Sequence, residues 1–241
     1  AFHGIDFFIP HPEESTAYTY FTLKRVLEIA SILGKPETPQ LARIREYSEG
    51  AKRAYQELVT KDGYSLDTDR QAKLVRPLYM GLLTPEQEAF ARKRLIAALD
   101  HYGWRLGTGF LSTPMILDVL AGLDISYAYR LLENEEMPGW LFMPKSGATT
   151  IWEAWEGKWI ASLNHYSKGA VCEWLMNTMC GIRITGENHV TIAPKPGGDI
   201  TFARASYWSI CGNVTTSWER TENGYRLTVG IPANTTAEIL L

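Results

Sequence analysis

One carboxylate in this chain sits in a setting suited to proton transfer. Glu153 lies between Trp152 and Trp155 in the stretch SGATTIWEAWEG, residues 146–157. A carboxylate held between two indoles is partly desolvated, which raises its pKa and suits it to move a proton near neutral pH. Indole faces also suit the apolar face of a sugar ring, and apolar walls with a few convergent polar groups are how small-molecule sites are built. The plainer reading of the same residues is two core tryptophans with Glu153 turned to solvent, because Trp is well buried on average.

Little else in the chain offers competing chemistry. Cys172, Cys180 and Cys211 are odd in number and lack metal-type spacing. Cys172 and Cys180 fall two helical turns apart, too far for a disulfide within that helix, so buried free thiols are expected. The 5 histidines include no zinc-type pair. Gly103–Gly109 (GWRLGTG) is rich in glycine but lacks the Lys-Ser/Thr pair and the preceding strand of a phosphate cradle. No metal, nucleotide or flavin is implied. A net charge of −3 gives no footprint for nucleic acid. No apolar run approaches the roughly 18 residues of a membrane-spanning helix. Eight tryptophans and 12 tyrosines suit a carbohydrate-handling surface, a large core being the alternative.

The elements that must position these residues are mostly helices. Leu23, Val26, Leu27, Ala30 and Leu33 recur at helical spacing until Gly34-Lys35-Pro36. Thr38-Pro39 restarts the chain with a cap and a first-turn proline, and Ile44, Ala51, Ala54, Tyr55 and Leu58 mark one face. A third helix is expected over roughly 67–81, kinked at Pro77. Thr84-Pro85-Glu86-Gln87 has the form of a capping box and opens a fourth. Ser112-Thr113-Pro114 starts a short helix, and Asp124 caps the next. Glu133, Glu135 and Glu136 oppose the dipole at its end and read as a solvated face. A last helix is expected over about 167–180, ending at Gly181. From Ile182 the period changes: Leu227, Val229 and Ile231 alternate with Arg226, Thr228 and Gly230, and Asn223-Gly224 signals a hairpin. Strands gathered after helices imply a small β-sandwich beside a helical domain, with the boundary near residue 182.

Several segments in this order resemble the bacterial α-L-rhamnosidases. They are TGFLSTP (108–114), GATTIWE (147–153), SLNHYSKGAVCEW (162–174), IAPKPGGDITFARASY (192–207) and PANTT (232–236). The resemblance covers nearly the whole chain, and its specificity lies in the order and spacing of the strings together. It implies an inverting glycoside hydrolase with an (α/α)6 barrel and a C-terminal β-sandwich, acting on terminal α-L-rhamnosides of a rhamnose-containing oligosaccharide or glycoside. In that family the Glu of the GATT-x-WE motif, here Glu153, is the general base. The resemblance places His165 of SLNHY in the same pocket, against the sugar or supporting the base, with Trp152 as pocket wall or core and Trp155 beside it. Asp6-Phe7 stands where the family has a Gly-Asp-Trp segment whose Trp contacts sugar; Ile5 and Phe7 replace the Gly and Trp, so that contact is altered.

One departure bears on activity. Inversion needs two carboxyl groups, roughly 6.5–9.5 Å apart. The family's acid sits in a Cys-Pro-Gln-Arg-Glu-like segment that this chain lacks. About half the helices of such a barrel are present. The expected architecture is therefore mainly α with a small all-β domain: residues 1–181 as the second half of the catalytic barrel, 182–241 as the sandwich. The isolated chain is expected to be nearly inactive unless Asp67, Asp69 or Glu156 serves as acid. A catalytically incomplete carbohydrate-binding or structural remnant is the alternative. A half-barrel exposes an apolar inner face, so association with a second copy or with the missing half is expected. The opening AFHGIDFFIPHPEE carries no leader pattern, and the compartment stays open, a periplasmic or secreted parent fitting the resemblance.

Overall fold

The computed structural model describes residues 11–155 and 161–241. Contacts divide the chain into two compact units, one ending at His101 and the other spanning Tyr102–Leu241.

The first unit holds four helices: α1 (Pro12–Ile32), α2 (Pro39–Leu58), α3 (Gln71–Met80) and α4 (Pro85–His101). α1 packs on α2 and on α3, and α3 packs on α4. Their buried faces carry Ala17, Tyr20, Tyr55, Leu74, Val75, Leu95, Ala98 and Leu99. Both expected starts form. Thr38 Oγ1 accepts the Leu41 N–H at 3.2 Å ahead of Pro39. Thr84 Oγ1 accepts from Gln87 N at 3.2 Å while Gln87 Oε1 accepts from Thr84 N at 3.0 Å, a complete capping box. The third helix starts later than expected. Ser65 Oγ accepts from Asp67 N and Thr68 Oγ1 from Arg70 N, so short polar side chains bond the local backbone in turns before the helix begins. It then runs through Pro77 to Gly81, whose φ of +70° ends it.

A buried charge cluster pins α1 to α3. Arg76, 2% exposed, donates through Nη1 to Glu13 at 3.1 Å and through Nη2 to Glu14 at 2.5 Å. Burial raises the Tyr55 hydroxyl, with Glu13 adding to the rise and Arg76 opposing it.

The second unit opens with the loop to Thr113, a 3-10 turn (Thr113–Met115), α5 (Ile116–Leu123) and α6 (Ile125–Leu132). Asp124 caps α6 through Ser126 N at 2.8 Å, and this bonding lowers its pKa. The acidic run after α6 is not simply solvated. Glu133 accepts the Asp199 N–H at 2.8 Å and so holds the PKPGGD loop, Glu135 pairs with Lys145, and Glu136 lies 3.8 Å from Arg105. After α7 (Phe142–Lys145), the expected single helix is three pieces: α8 (Tyr166–Gly169), α9 (Val171–Trp174) and a π-helical turn (Leu175–Met179), closed by Cys180 N donating to Leu175 O at 2.9 Å. Cys180 is buried and its thiol raised by desolvation; Cys172 is exposed, against expectation, and all three cysteines are free.

Six strands follow: β1 (Ile182–Gly186), β2 (His189–Ile192), β3 (Phe202–Ser209), β4 (Gly212–Thr221), β5 (Gly224–Gly230) and β6 (Thr236–Ile239). They form two three-stranded sheets, β1-β2-β6 with β2 and β6 parallel, and the antiparallel meander β3-β4-β5. Ile182, Val190, Ile192 and Val214 form a core packed by Ala205, Leu227, Val229 and Ala237, so one apolar layer joins both sheets. The hairpin turn lies one residue earlier than expected: Thr221 pairs with Gly224, leaving Glu222-Asn223 as the turn.

The helices meet the sheets at Gly181. Trp218, fully buried, donates from Nε1 to Met179 O at 2.8 Å, and Thr216 donates to Cys180 O at 2.9 Å, satisfying two terminal carbonyls of the helical run. Gly181 has φ +79°, and a Cβ there would lie 2.1 Å from Pro194 N. Gly63, with φ +81°, opens on empty space. Gly181→Ala is therefore expected to destabilise by about 3 kcal/mol or more, or to prevent folding, against about 1–2 kcal/mol for Gly63→Ala. Denaturant unfolding of the two variants checks this; equal losses would refute it.

Candidate active site

The candidate site is built from three segments of the second unit. The first is TGFLSTP. Thr108 and Thr113 are buried with their hydroxyls 2.9 Å apart, and Thr113 Oγ1 also donates to Gly109 O at 3.0 Å. This closed loop carries Phe110 outward, 47% exposed. The second segment leaves α7 through Gly147, φ +85°, where Ala148 N donates to Met143 O. Met143 Sδ then receives the Trp152 N–H at 3.3 Å, and Trp152 is buried, 8% exposed.

The third segment runs beside the second. Glu153 N donates to Ser162 O at 2.9 Å, and His165 N donates to Ile151 O at 2.9 Å. Ser162 N returns a bond to Glu153 Oε2 at 3.0 Å. These two bonds lay residues 151–153 antiparallel to 162–165, although twelve positions separate Glu153 from His165 in the chain. Burial alternates along the extended stretch, Trp152 in and Glu153 out. Glu153 is thus exposed and not desolvated between indoles; its direction is set by the Ser162 amide. Trp155 is partly buried.

Lys168 braces both segments. It is buried, its Nζ donates to the Glu153 carbonyl oxygen, and the same Nζ lies 3.5 Å from the centroid of the Trp155 ring. The Lys168 main-chain oxygen accepts from Trp140 Nε1 at 2.9 Å, and its N–H donates to His165 Nδ1 at 3.2 Å, capping α8. His165 is 8% exposed. With Nδ1 accepting, the neutral ring carries its proton on Nε2, which leaves that nitrogen a donor. Around it stand Phe110, ring centroid 5.3 Å away and edge-on at 78°, and Tyr166, stacked at 5.9 Å and 18°. A carboxylate oriented by an amide can activate water, and a histidine N–H donor among aromatic faces can meet a hydroxyl-bearing ring.

The other expected residues fall elsewhere. Asp6, Phe7 and Glu156 lie outside the described residues. Asp67 and Asp69 lie ahead of α3. Arg94 holds both, Nε on Asp67 at 2.9 Å and Nη2 on Asp69 at 2.7 Å, and this hydrogen bond lowers the Asp69 pKa. A general acid needs the opposite shift. Sequence reading missed Phe110, Tyr166 and Lys168 as site residues. All three stand inside the strings that carried the resemblance, where Lys168 read as an ordinary helix position.

The model of the bacterial alpha-L-rhamnosidase 6 hairpin glycosidase domain matches residues 10–179, and that of the bacterial alpha-L-rhamnosidase C-terminal domain matches residues 184–241. The chain belongs to the bacterial α-L-rhamnosidase family. An alpha-L-rhamnosidase of Streptomyces avermitilis is 35% identical over 237 residues, spanning 93% of this chain and 23% of that protein. One from Formosa agariphila is 34% identical over 242 residues, spanning 95% of this chain and 26% of that protein. The crystal structure of the Streptomyces avermitilis alpha-L-rhamnosidase complexed with L-rhamnose superposes with a TM-score of 0.82 at 34% identity, covering 93% of this chain and 22% of that one. The chain spans about a quarter of the length of the rhamnosidases it matches.

Two outcomes follow from this geometry. Lys168→Met, which keeps the stem and removes the ammonium, should raise hydrogen exchange at the Glu153 and His165 amides by about tenfold or more while exchange in α1–α4 stays as it was; unchanged protection would show the brace to be idle. In Arg94→Met, the Asp69 pKa should rise toward the ordinary aspartate value. In the unmodified protein the lowered Asp69 pKa contributes stability present above the unfolded value and lost as pH falls through the folded one. An NMR titration showing the same Asp69 midpoint in both proteins would refute the pairing.

Proposed function

We propose that this chain carries the general-base half of an α-L-rhamnosidase that hydrolyses terminal α-L-rhamnosides with inversion. Glu153 takes a proton from water as the water oxygen attacks the anomeric carbon; the bond to the leaving oxygen breaks on the opposite face, and that oxygen is protonated by a general acid. His165 donates from Nε2 to a sugar hydroxyl, and Trp152 and Trp155 form part of the wall. The acid is a carboxyl outside these 241 residues. The observation that supports the reading is the pairing of residues 151–153 with 162–165, together with the Ser162 amide that directs the Glu153 carboxylate. The relative from Streptomyces avermitilis, crystallised with L-rhamnose, supports the substrate class.

A leaving group that needs no proton isolates the base. The chain should hydrolyse α-L-rhamnosyl fluoride, with the β anomer as first product by NMR, while an aryl α-L-rhamnoside turns over far more slowly. Glu153→Gln should lower fluoride hydrolysis by about 10²–10⁴-fold. Retention of the α configuration, or full activity in Glu153→Gln, would remove Glu153 from this role. Sugar binding without hydrolysis of the fluoride would make the chain a binding remnant.

A further inference from the structure

We propose that Met143 is a positioning residue for the base: its thioether sulfur pins the main chain at Trp152 and so fixes where Glu153, one residue on, presents its carboxylate. This role rests on Glu153 acting as base, as proposed above, and names a group that holds that base in place. Met143 itself is fully buried and meets neither water nor sugar.

The need for such a pin comes from the pairing of the two segments. Ile151 O accepts from His165 N and Glu153 N donates to Ser162 O, so residues 151 and 153 face the 162–165 segment. Successive residues of a paired extended segment turn their main-chain groups to opposite sides. The Trp152 N–H therefore points away from that partner. A buried N–H with no acceptor is costly, and the acceptor here is Met143 Sδ, 3.3 Å away. The same residue closes the other end of the turn. Its main-chain oxygen accepts from Ser146 N and Ala148 N, both at 3.0 Å, on either side of Gly147 with its φ of +85°.

The bonds form a closed circuit. Met143 N donates to Trp140 O at 3.3 Å, Trp140 Nε1 donates to Lys168 O at 2.9 Å, and Lys168 Nζ donates to Glu153 O. The circuit thus runs from Trp152 through Met143, Trp140 and Lys168 to Glu153, whose peptide bond to Trp152 completes it. Trp152, Met143, Trp140 and Lys168 are all buried, none above 8% exposed, while Glu153 is exposed. Sulfur is the one polar atom of the methionine side chain and a weak acceptor. A hydrocarbon side chain of similar volume therefore removes the pin and little else. Freed at Trp152, the base leaves its productive position, which costs rate. His165 keeps its own tie, Nδ1 accepting from Lys168 N at 3.2 Å, so the contact with sugar is kept.

The test is steady-state hydrolysis of α-L-rhamnosyl fluoride by the 241-residue chain and by Met143→Leu. Met179→Leu is the control, replacing another buried methionine of the same unit. Met143→Leu should lower kcat about tenfold with KM held within about twofold, and Met179→Leu should keep both within about twofold. Hydrogen exchange reads the pin without any substitution. In the unmodified chain the Trp152 amide should be protected to within about threefold of the Glu153 amide, and in Met143→Leu its exchange should rise about tenfold. An unchanged kcat in Met143→Leu, a loss expressed in KM instead of kcat, an equal loss in Met179→Leu, or an unprotected Trp152 amide each overturns the role of Met143 and leaves Glu153 as base. No hydrolysis of the fluoride by the unmodified chain overturns the base and this role together.

Discussion

The second unit's candidate site depends on a buried lysine. Lys168 serves it through four contacts made by three of its atoms: Nζ on the Glu153 carbonyl, Nζ over the Trp155 ring, main-chain N–H on His165, and main-chain oxygen under Trp140. Burying an ammonium is expensive unless it is met by oriented acceptors. A carbonyl and an indole face meet that demand, and in doing so they fix two loop segments that have no regular secondary structure of their own. Precision in the site thus comes from one charge seeking partners, with the Glu153–Ser162 pairing as its consequence.

The carboxylates of the chain are divided by what they touch. Glu13 and Glu14 are held by buried Arg76, Asp67 and Asp69 by Arg94, and Glu133 by the backbone of the PKPGGD loop. Each of these is tied to structure, and for Asp69 the Arg94 hydrogen bond holds the carboxyl below its ordinary value. Glu153 resembles Glu133 in meeting a backbone amide and differs from it in being exposed. The amide directs the group without matching it to an opposite charge. That contrast, more than any single distance, is why Glu153 and not its neighbours carries the proposed proton transfer.

The sheets bear on the site through the helical run that links them. That run begins at the His165 cap and ends where Trp218 and Thr216 take the Met179 and Cys180 carbonyls. Tyr129 adds a third tie, its hydroxyl donating to Lys195 O at 2.7 Å while Gly197 packs against its ring. Burial raises this hydroxyl well above the ordinary tyrosine range, so it remains a donor throughout the pH range of a folded protein. A π-helical turn in the same run widens the backbone one step before Gly181, where only glycine fits against Pro194. The small β domain therefore acts as a clamp on the far end of the segment that presents the imidazole.

What the sequence by itself determined were features written in local spacing. The 3.6-residue period, the capping box at Thr84–Gln87, the caps at Thr38 and Asp124, and the change to alternation after Ile182 all depend on neighbours within a few residues. Ordered strings placed the chain in its family for the same reason. Tertiary structure decided the rest, because it depends on partners far along the chain. Asp67 and Asp69 went to Arg94, Glu133 went to Asp199, and Ser167 and Lys168 reached Phe110 and Glu153. Sequence could set Glu153 between two tryptophans, but only the pairing of residues 151–153 with 162–165 turned Trp152 inward and Glu153 out. Polar side chains take the strongest available partner, and for these residues that partner is distant in sequence.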